Sequence, residues 1–275
     1  MSESTGRRRR RHRAAERGAA IGLTVLVSVS GGQAGAQEVG REGLSIAREV
    51  DRKTGGYEDY EARLTMVLVG RDGKERIREM EVSALASGDG ERTLLVFQSP
   101  RDLVGTALLS HSHVGASDDQ WLYLPSMKRV KRIAAAKQSG SFMGSEFAYE
   151  DISSQEVGNF TYDYEGESRI VDTEVYVVER FPVDESSGYS RQRVYVDRSD
   201  YLPLRIEYFN TRGEHLKTLT LTDYEQQGPY WRARTMTMQN HQTEAFTRLE
   251  WSDFRFDVGL NERRFTADGL GRRGG

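Results

Sequence analysis

Cysteine is missing from all 275 positions. Disulfides are therefore excluded, as is lipid attachment through an N-terminal cysteine, and the fold must be held by burial alone. Proline is scarce, with five in the chain. No Pro-rich or Ser-rich linker and no fixed repeat divides the sequence, which reads as one domain. Long apolar runs are missing as well: the candidate at residues 19–30 is about a dozen residues, against the roughly 20 that span a bilayer as a helix. The spacings of common catalytic and metal centres are also absent. The serines, including Ser139, Ser141 and Ser145, stand in neither G-x-S-x-G nor S-x-x-K context, and no C-x-x-C or H-E-x-x-H occurs. Neither an enzyme, a metal site nor a cofactor is expected.

What is present begins with a targeting pattern. Arg7 to Arg11, Arg13 and Arg17 precede the short apolar run, and Ala34-Gly35-Ala36 follows it as a small-x-small site. This combination predicts an export signal over residues 1–36, cleaved near Ala36, and a single exported domain, read below as β, over residues 37–275. Removing seven Arg and two Glu from totals of 39 basic and 42 acidic residues leaves 32 and 40, a formal net charge of −8. A chain so acidic is no general binder of nucleic acid.

The hydrophobic pattern has a helical period over residues 39–51, with Leu44, Ile46, Ala47 and Val50 on one side and Thr54-Gly55-Gly56 as the stop. From Tyr57 onward the period becomes two. Asp72-Gly73 and Gly88-Asp89-Gly90 mark hairpin turns, and about ten or eleven strands follow one another at short spacing. Both faces of residues 93–97, Thr-Leu-Leu-Val-Phe, are apolar, which requires a cover on each side. The expected fold is mainly β: a curved antiparallel sheet with an N-terminal helix and a lid segment on its concave face. One helix is little cover for so many strands. Either the sheet closes on its own side chains or an acyl chain fills the remaining space, at about 0.8 kcal/mol per buried methylene.

Residues 118–152 are the most distinctive stretch. Gln120-Trp121-Leu122-Tyr123-Leu124 reads as a strand stopped by Pro125; the basic run Lys128-Arg129-Val130-Lys131-Arg132-Ile133 follows, and then G-S-F-M-G-S-x-F-x-Y-E-D over residues 140–151. This order closely resembles the outer membrane lipoprotein-sorting family of LolA-like proteins. The resemblance implies a half-open antiparallel barrel that carries a lipid or an acylated lipoprotein across the periplasm, often beside an RND-type inner-membrane transporter, with transient membrane contact. A shuttle of this kind is expected to be a monomer.

Two groups of candidate residues follow. Trp121, Tyr123, Phe142, Met143, Phe147 and Tyr149 are either ordinary core or the mouth and lid of a lipid cavity, with Gly140 and Gly144 giving the lid freedom to move. Lys128, Arg129, Lys131 and Arg132 are either a solvated strand edge or a rim that meets an anionic headgroup or an acidic partner. A periplasmic adaptor with a filled core, docking to an efflux assembly through that rim, is the competing function. His111 and His113 lie two apart and share one side of a strand, without a third ligand nearby. The pairs Asp118-Asp119 and Glu150-Asp151 are adjacent, as in turns and rims rather than acid–base pairs.

Overall fold

A computed structural model of the protein describes residues 31–272. Residues 1–30 of the expected export signal 1–36 lie outside them, and residues 31–36 form the start of the first helix. Helix α1 (Gly31–Thr54) is longer than the expected 39–51 at both ends. It ends where Gly56 takes φ +88° and the Gly55 amide donates to the Asp51 carbonyl. Its apolar stripe is the predicted one: Ile46 is in the core, with Leu44, Ala47 and Val50 packed beside it.

All strands belong to one antiparallel sheet. The first meander contains β1 (Asp59–Val69), β2 (Glu75–Ser87), β3 (Gly90–Ser99), β4 (Ala107–His111), β5 (Asp119–Leu124) and β6 (Arg129–Ile133). The second contains β7 (Phe160–Ile170), β8 (Thr173–Pro182), β9 (Tyr189–Asp197), β10 (Pro203–Asn210), β11 (His215–Gln227), β12 (Tyr230–Asn240) and β13 (Phe246–Phe256). Pairing of β1 with β13 joins the two meanders, so the order runs from β6 through β1 and β13 to β7. The sheet is curved and not closed, leaving β6 and β7 as its edges. Thirteen strands exceed the expected ten or eleven because β6 is a charged run and β7 and β9 are polar along much of their length.

The chain passes from one edge to the other through residues 134–159, here termed the strap, which includes the short helix α2 (Tyr149–Ile152). The strap and α1 cover the concave face, where Leu64, Met66, Met80, Phe97, Leu108, Ile206 and Leu249 form the main core. Helix α1 lies against edge strand β7 at very short range. A Cβ on Gly43 would stand 3.1 Å from the Tyr162 Cβ and the Asp163 backbone, so glycine is what permits the approach.

A second, smaller layer covers the convex face of β3 to β6. Leu94, Ala107, Leu109 and Tyr123 pack there under Phe265 and Leu270, the latter on α3 (Ala267–Arg272). Buried Asp59 holds the segment leading to this layer by accepting from the backbone amides of Val258, Gly259 and Leu260 at 2.7–2.9 Å. Strand β3 thus has a cover on each face: Leu95 and Phe97 point into the main core and Leu94 into the second.

Candidate functional site

Between α1 and the strands β8 to β12 the concave face is not filled. A cavity of about 230 Å³ remains, walled by Ile46 and Val50 of α1 and by Val194, Ile206, Leu221 and Met236 of the sheet. A second cavity of about 290 Å³ shares Thr54, Gln155, Pro203, Leu221 and Met236 as walls, so the two form one groove. Aromatic side chains line this outer part: Tyr60, Tyr224, Trp231, Trp251 and Phe254. Trp251 and Phe254 stack at 5.7 Å, as do Phe254 and Phe256, and Tyr60 lies 5.8 Å from both phenylalanines.

Two breaks in strand regularity create this aromatic end. Asp253 takes φ +55°, and the β1–β13 register shifts beside it. A one-residue bulge turns every later side chain to the other face, so Phe254 and Phe256 join Trp251 on the inside. At Asp223, φ is +54°, and Leu221 and Tyr224 both face inward although three residues apart.

Polar groups interrupt the groove: Asp51, Thr54, Asp151, Gln155 and Arg180 line its inner part and Arg232 its outer part. The Tyr224 hydroxyl donates to the Pro203 carbonyl at 2.5 Å, and burial holds its proton well above the usual phenol range. Arg180 lines the inner cavity, donates through Nε and Nη2 to Gln192 Oε1 at 2.8 and 2.6 Å, and lies 4.3 Å from the Phe160 ring centroid. Burial lowers its pKa.

The strap is fastened to the sheet along its length. Lys217, near the start of β11, forms a 2.5 Å ion pair with Asp151 in which both side chains are 4% exposed. It also donates to the Glu146 carbonyl at 3.1 Å. The Tyr189 hydroxyl donates to Asp151 (2.9 Å), Arg78 to the Met143 carbonyl (2.7 Å), Asn240 to the Glu146 carboxylate (2.6 Å) and Gln120 to the Tyr149 carbonyl (2.9 Å). Glu150 accepts from Ser187 Oγ and the Gly188 amide. Burial, with the Asp151 charge beside it, raises the Glu150 carboxyl to about 7.

The six residues expected together at one mouth are divided by the structure. Phe142 and Phe147, on the strap itself, are fully buried against the sheet, Phe142 beside Phe97 (6.1 Å) and Tyr149 (5.5 Å). Half-buried Met143 packs on the same core from a left-handed turn with Gly144. Trp121 and Tyr123 alternate with Leu122 on β5 and therefore face the convex layer. None of the six lines the groove under α1. Tyr149 does meet part of the basic run: with Lys131, Arg132 and Ile133 it lines an open trough of about 580 Å³ along the β6 edge. Lys128, Arg129, Lys131 and Arg132 are all exposed on or beside that edge strand, and Arg132 pairs with Asp119.

The histidines diverge. His111 Nε2 donates to the Phe265 carbonyl at 2.9 Å, while His113 contacts Asp119 at 3.2 Å. Among the described residues no cluster of three His, Asp or Glu side chains has metal-binding geometry.

A solved structure of an outer membrane lipoprotein-sorting protein domain from Vibrio parahaemolyticus is 44% identical to this chain, covering 85% of it and 100% of that domain, with a TM-score of 0.82. The chain belongs to the outer membrane lipoprotein-sorting family. A solved structure of a DUF1329 family protein from Desulfovibrio piger is 29% identical over 84% of this chain and 99% of that one, with a TM-score of 0.79. A LolA superfamily protein from Nitrosomonas europaea is 21% identical over 82% and 98% of the two chains, with a TM-score of 0.69, and shares the fold. A family model described as an uncharacterized protein matches residues 89–272. No curated protein matches the chain. The LolA-like half-open sheet is therefore the fold of this family member. No described helix is long and apolar enough to cross a membrane.

Proposed function

We propose that the protein is a non-catalytic periplasmic carrier that shelters the acyl chains of a lipid or lipoprotein in the groove under α1. It would collect this cargo at an inner-membrane transporter, of the RND type by family resemblance, and deliver it to the outer membrane as a monomer. The observation that carries this reading is the groove itself, a mainly apolar channel left unfilled between α1 and the sheet. Export removes residues 1–36, so α1 of the mature protein begins at Gln37 and keeps the stripe from Leu44 to Val50 over the cavity.

The two covers of the concave face differ in how they are held. The strap is tied by side-chain hydrogen bonds to six strands. The described side-chain bonds of α1, Arg52 to Glu49 and Thr54 to Val50, stay within the helix. Cargo entry accordingly works by displacement of α1, whose apolar contacts are replaced by those of an acyl chain, while the strap stays in place. The exposed cations of the β6 edge, Lys128, Arg129, Lys131 and Arg132, then meet anionic headgroups or an acidic face of the transporter.

The test is mass spectrometry of organic extracts from protein purified out of its own host's periplasm, beside an unrelated exported control. A stoichiometric lipid or acylated peptide is expected. An empty protein that also takes up no fluorescent lipid would overturn the carrier and favour an adaptor docking through the β6 edge.

A further inference from the structure

The outer end of the groove contains a cation with two donors that the fold leaves unmatched. Arg232 of β12 is half-buried among aromatic rings, with its guanidinium carbon 4.7 Å from the Tyr57 ring centroid, 5.4 Å from Tyr60 and 5.5 Å from Phe256. It lines the same cavity as Trp231, Trp251 and Phe254. Its Nε and Nη2 atoms are buried and have no hydrogen-bond partner. Its neighbour Arg234, on the outer surface, pairs with Glu225 at 3.6 Å, and Arg232 has no such partner among the described residues. Its remaining polar contact is with the Tyr57 hydroxyl, and the Glu91 carboxylate acts on it through its charge without a hydrogen bond. The carboxylate oxygens of Glu91 are taken up by the Tyr57 hydroxyl at 2.5 Å and Thr93 Oγ1 at 3.0 Å.

Buried polar groups are nearly always paired, and two donors of a buried cation left without acceptors carry a desolvation cost that a carboxylate beyond hydrogen-bond reach offsets only in part. The rings around Arg232 offset part of that cost through their π faces, but they accept nothing from Nε and Nη2 in the guanidinium plane. Those two donors form one side of the planar fork that fits a carboxylate or phosphate through two parallel hydrogen bonds. The geometry points to Arg232 as the binding site for an anionic headgroup, so that the preferred cargo is an acidic amphiphile: a phosphate or carboxylate seated on Arg232 at the aromatic mouth, with its acyl chain running inward past Leu221 and Met236. This inference rests on the carrier reading and specifies the class of its cargo. The wider setting agrees, because an aromatic belt beside a cation suits the boundary between headgroup and acyl chain.

The test compares three probes with one ten-carbon chain, decyl phosphate, decanoate and decanol, titrated into the exported protein below their micellar concentrations and followed by tryptophan fluorescence. The anions should bind about tenfold or more tighter than decanol, the worth of a charge-assisted hydrogen bond. Preference for decyl phosphate would name a phosphoester headgroup, and preference for decanoate a carboxylate. In Arg232→Gln the ratio of anion to alcohol affinity should collapse toward one, and Arg232→Lys should recover only part of it, since an ammonium cannot form the fork. Equal binding of all three probes to the unmodified protein would overturn the anion site and leave the carrier standing. Failure of all three to bind would overturn both. Loss of the preference in Arg180→Gln but not in Arg232→Gln would show the site to be placed wrongly.

Discussion

Replacement of Lys217 by Met tests whether the strap is a fixed part of the sheet. The side chain is buried under the strap, 4% exposed, with Nζ 2.5 Å from Asp151 and 3.1 Å from the Glu146 carbonyl. Methionine keeps the length and apolar stem of lysine, so the substitution removes the charge and its donors without opening a large cavity. Breaking a buried pair by deleting one partner costs about 3–5 kcal/mol, because the other charge stays buried. Asp151 retains the Ala148 amide at 2.6 Å and the Tyr189 hydroxyl at 2.9 Å, which places the cost nearer the lower figure. For a chain of this size each kcal/mol corresponds to roughly 2–4 °C, so melting followed by circular dichroism should fall by about 6–12 °C. Amide exchange at residues 142–152 should rise more than in β1 or β2. Lys217→Met combined with Asp151→Asn removes both charges and should recover much of the loss, since the pair is coupled. A shift under about 2 °C for Lys217→Met alone would refute the claim that this ion pair anchors the strap.

The pH dependence of stability should run against the usual carboxylate trend. The Glu150 carboxyl is raised to about 7 and, through burial, Asp118 to about 6. A carboxyl that holds its proton more tightly when folded gives stability that is complete below its unfolded pKa and is lost as pH rises through the folded one. The melting temperature should therefore fall between about pH 4.5 and 7, and Glu150→Gln should flatten that slope; an unchanged slope would show that Glu150 does not titrate there. Gly43→Val puts a branched side chain where a Cβ already stands 3.1 Å from β7; overpacking of this kind costs about 1–3 kcal/mol, and bound lipid should exchange faster as α1 loosens. Asp59→Ala leaves three backbone amides without their acceptor, at about 1.5–3 kcal/mol for hydrogen bonds to a charged group, and limited proteolysis should then begin near residue 258. Charge reversal at Lys128, Arg129, Lys131 and Arg132 should leave lipid content and melting temperature unchanged while slowing transfer from transporter-containing vesicles.

The parts of this protein that could be read from sequence are those governed by an unbroken period. The stripe Leu44, Ile46, Ala47 and Val50 predicts a helix with one buried face, and the helix is there. Apolar residues on both sides of β3 predict two covers, and both exist, although nothing local identified residues 260–270 as the second. The mouth of the groove was hidden for a physical reason. Alternation assigns a face only while every residue takes one extended step, and Asp223 and Asp253, at φ +54° and +55°, do not. Counting by twos past Asp253 puts Phe254 and Phe256 on the outside, whereas the bulge turns them inward beside Trp251 and Tyr60. The same rule, applied where the strand is regular, sets Trp121 and Tyr123 on the convex side, away from Phe142 and Phe147. Aromatic density alone therefore drew attention to the strap, where the rings pack as core. An aspartate interrupting an otherwise apolar alternation was the available signal for the aromatic end of the groove, since Asp is among the few residues besides glycine that adopt the left-handed conformation. Its use depends on knowing which strands end at the cavity, and that follows only from the pairing of β1 with β13, a contact between segments nearly two hundred residues apart in the chain.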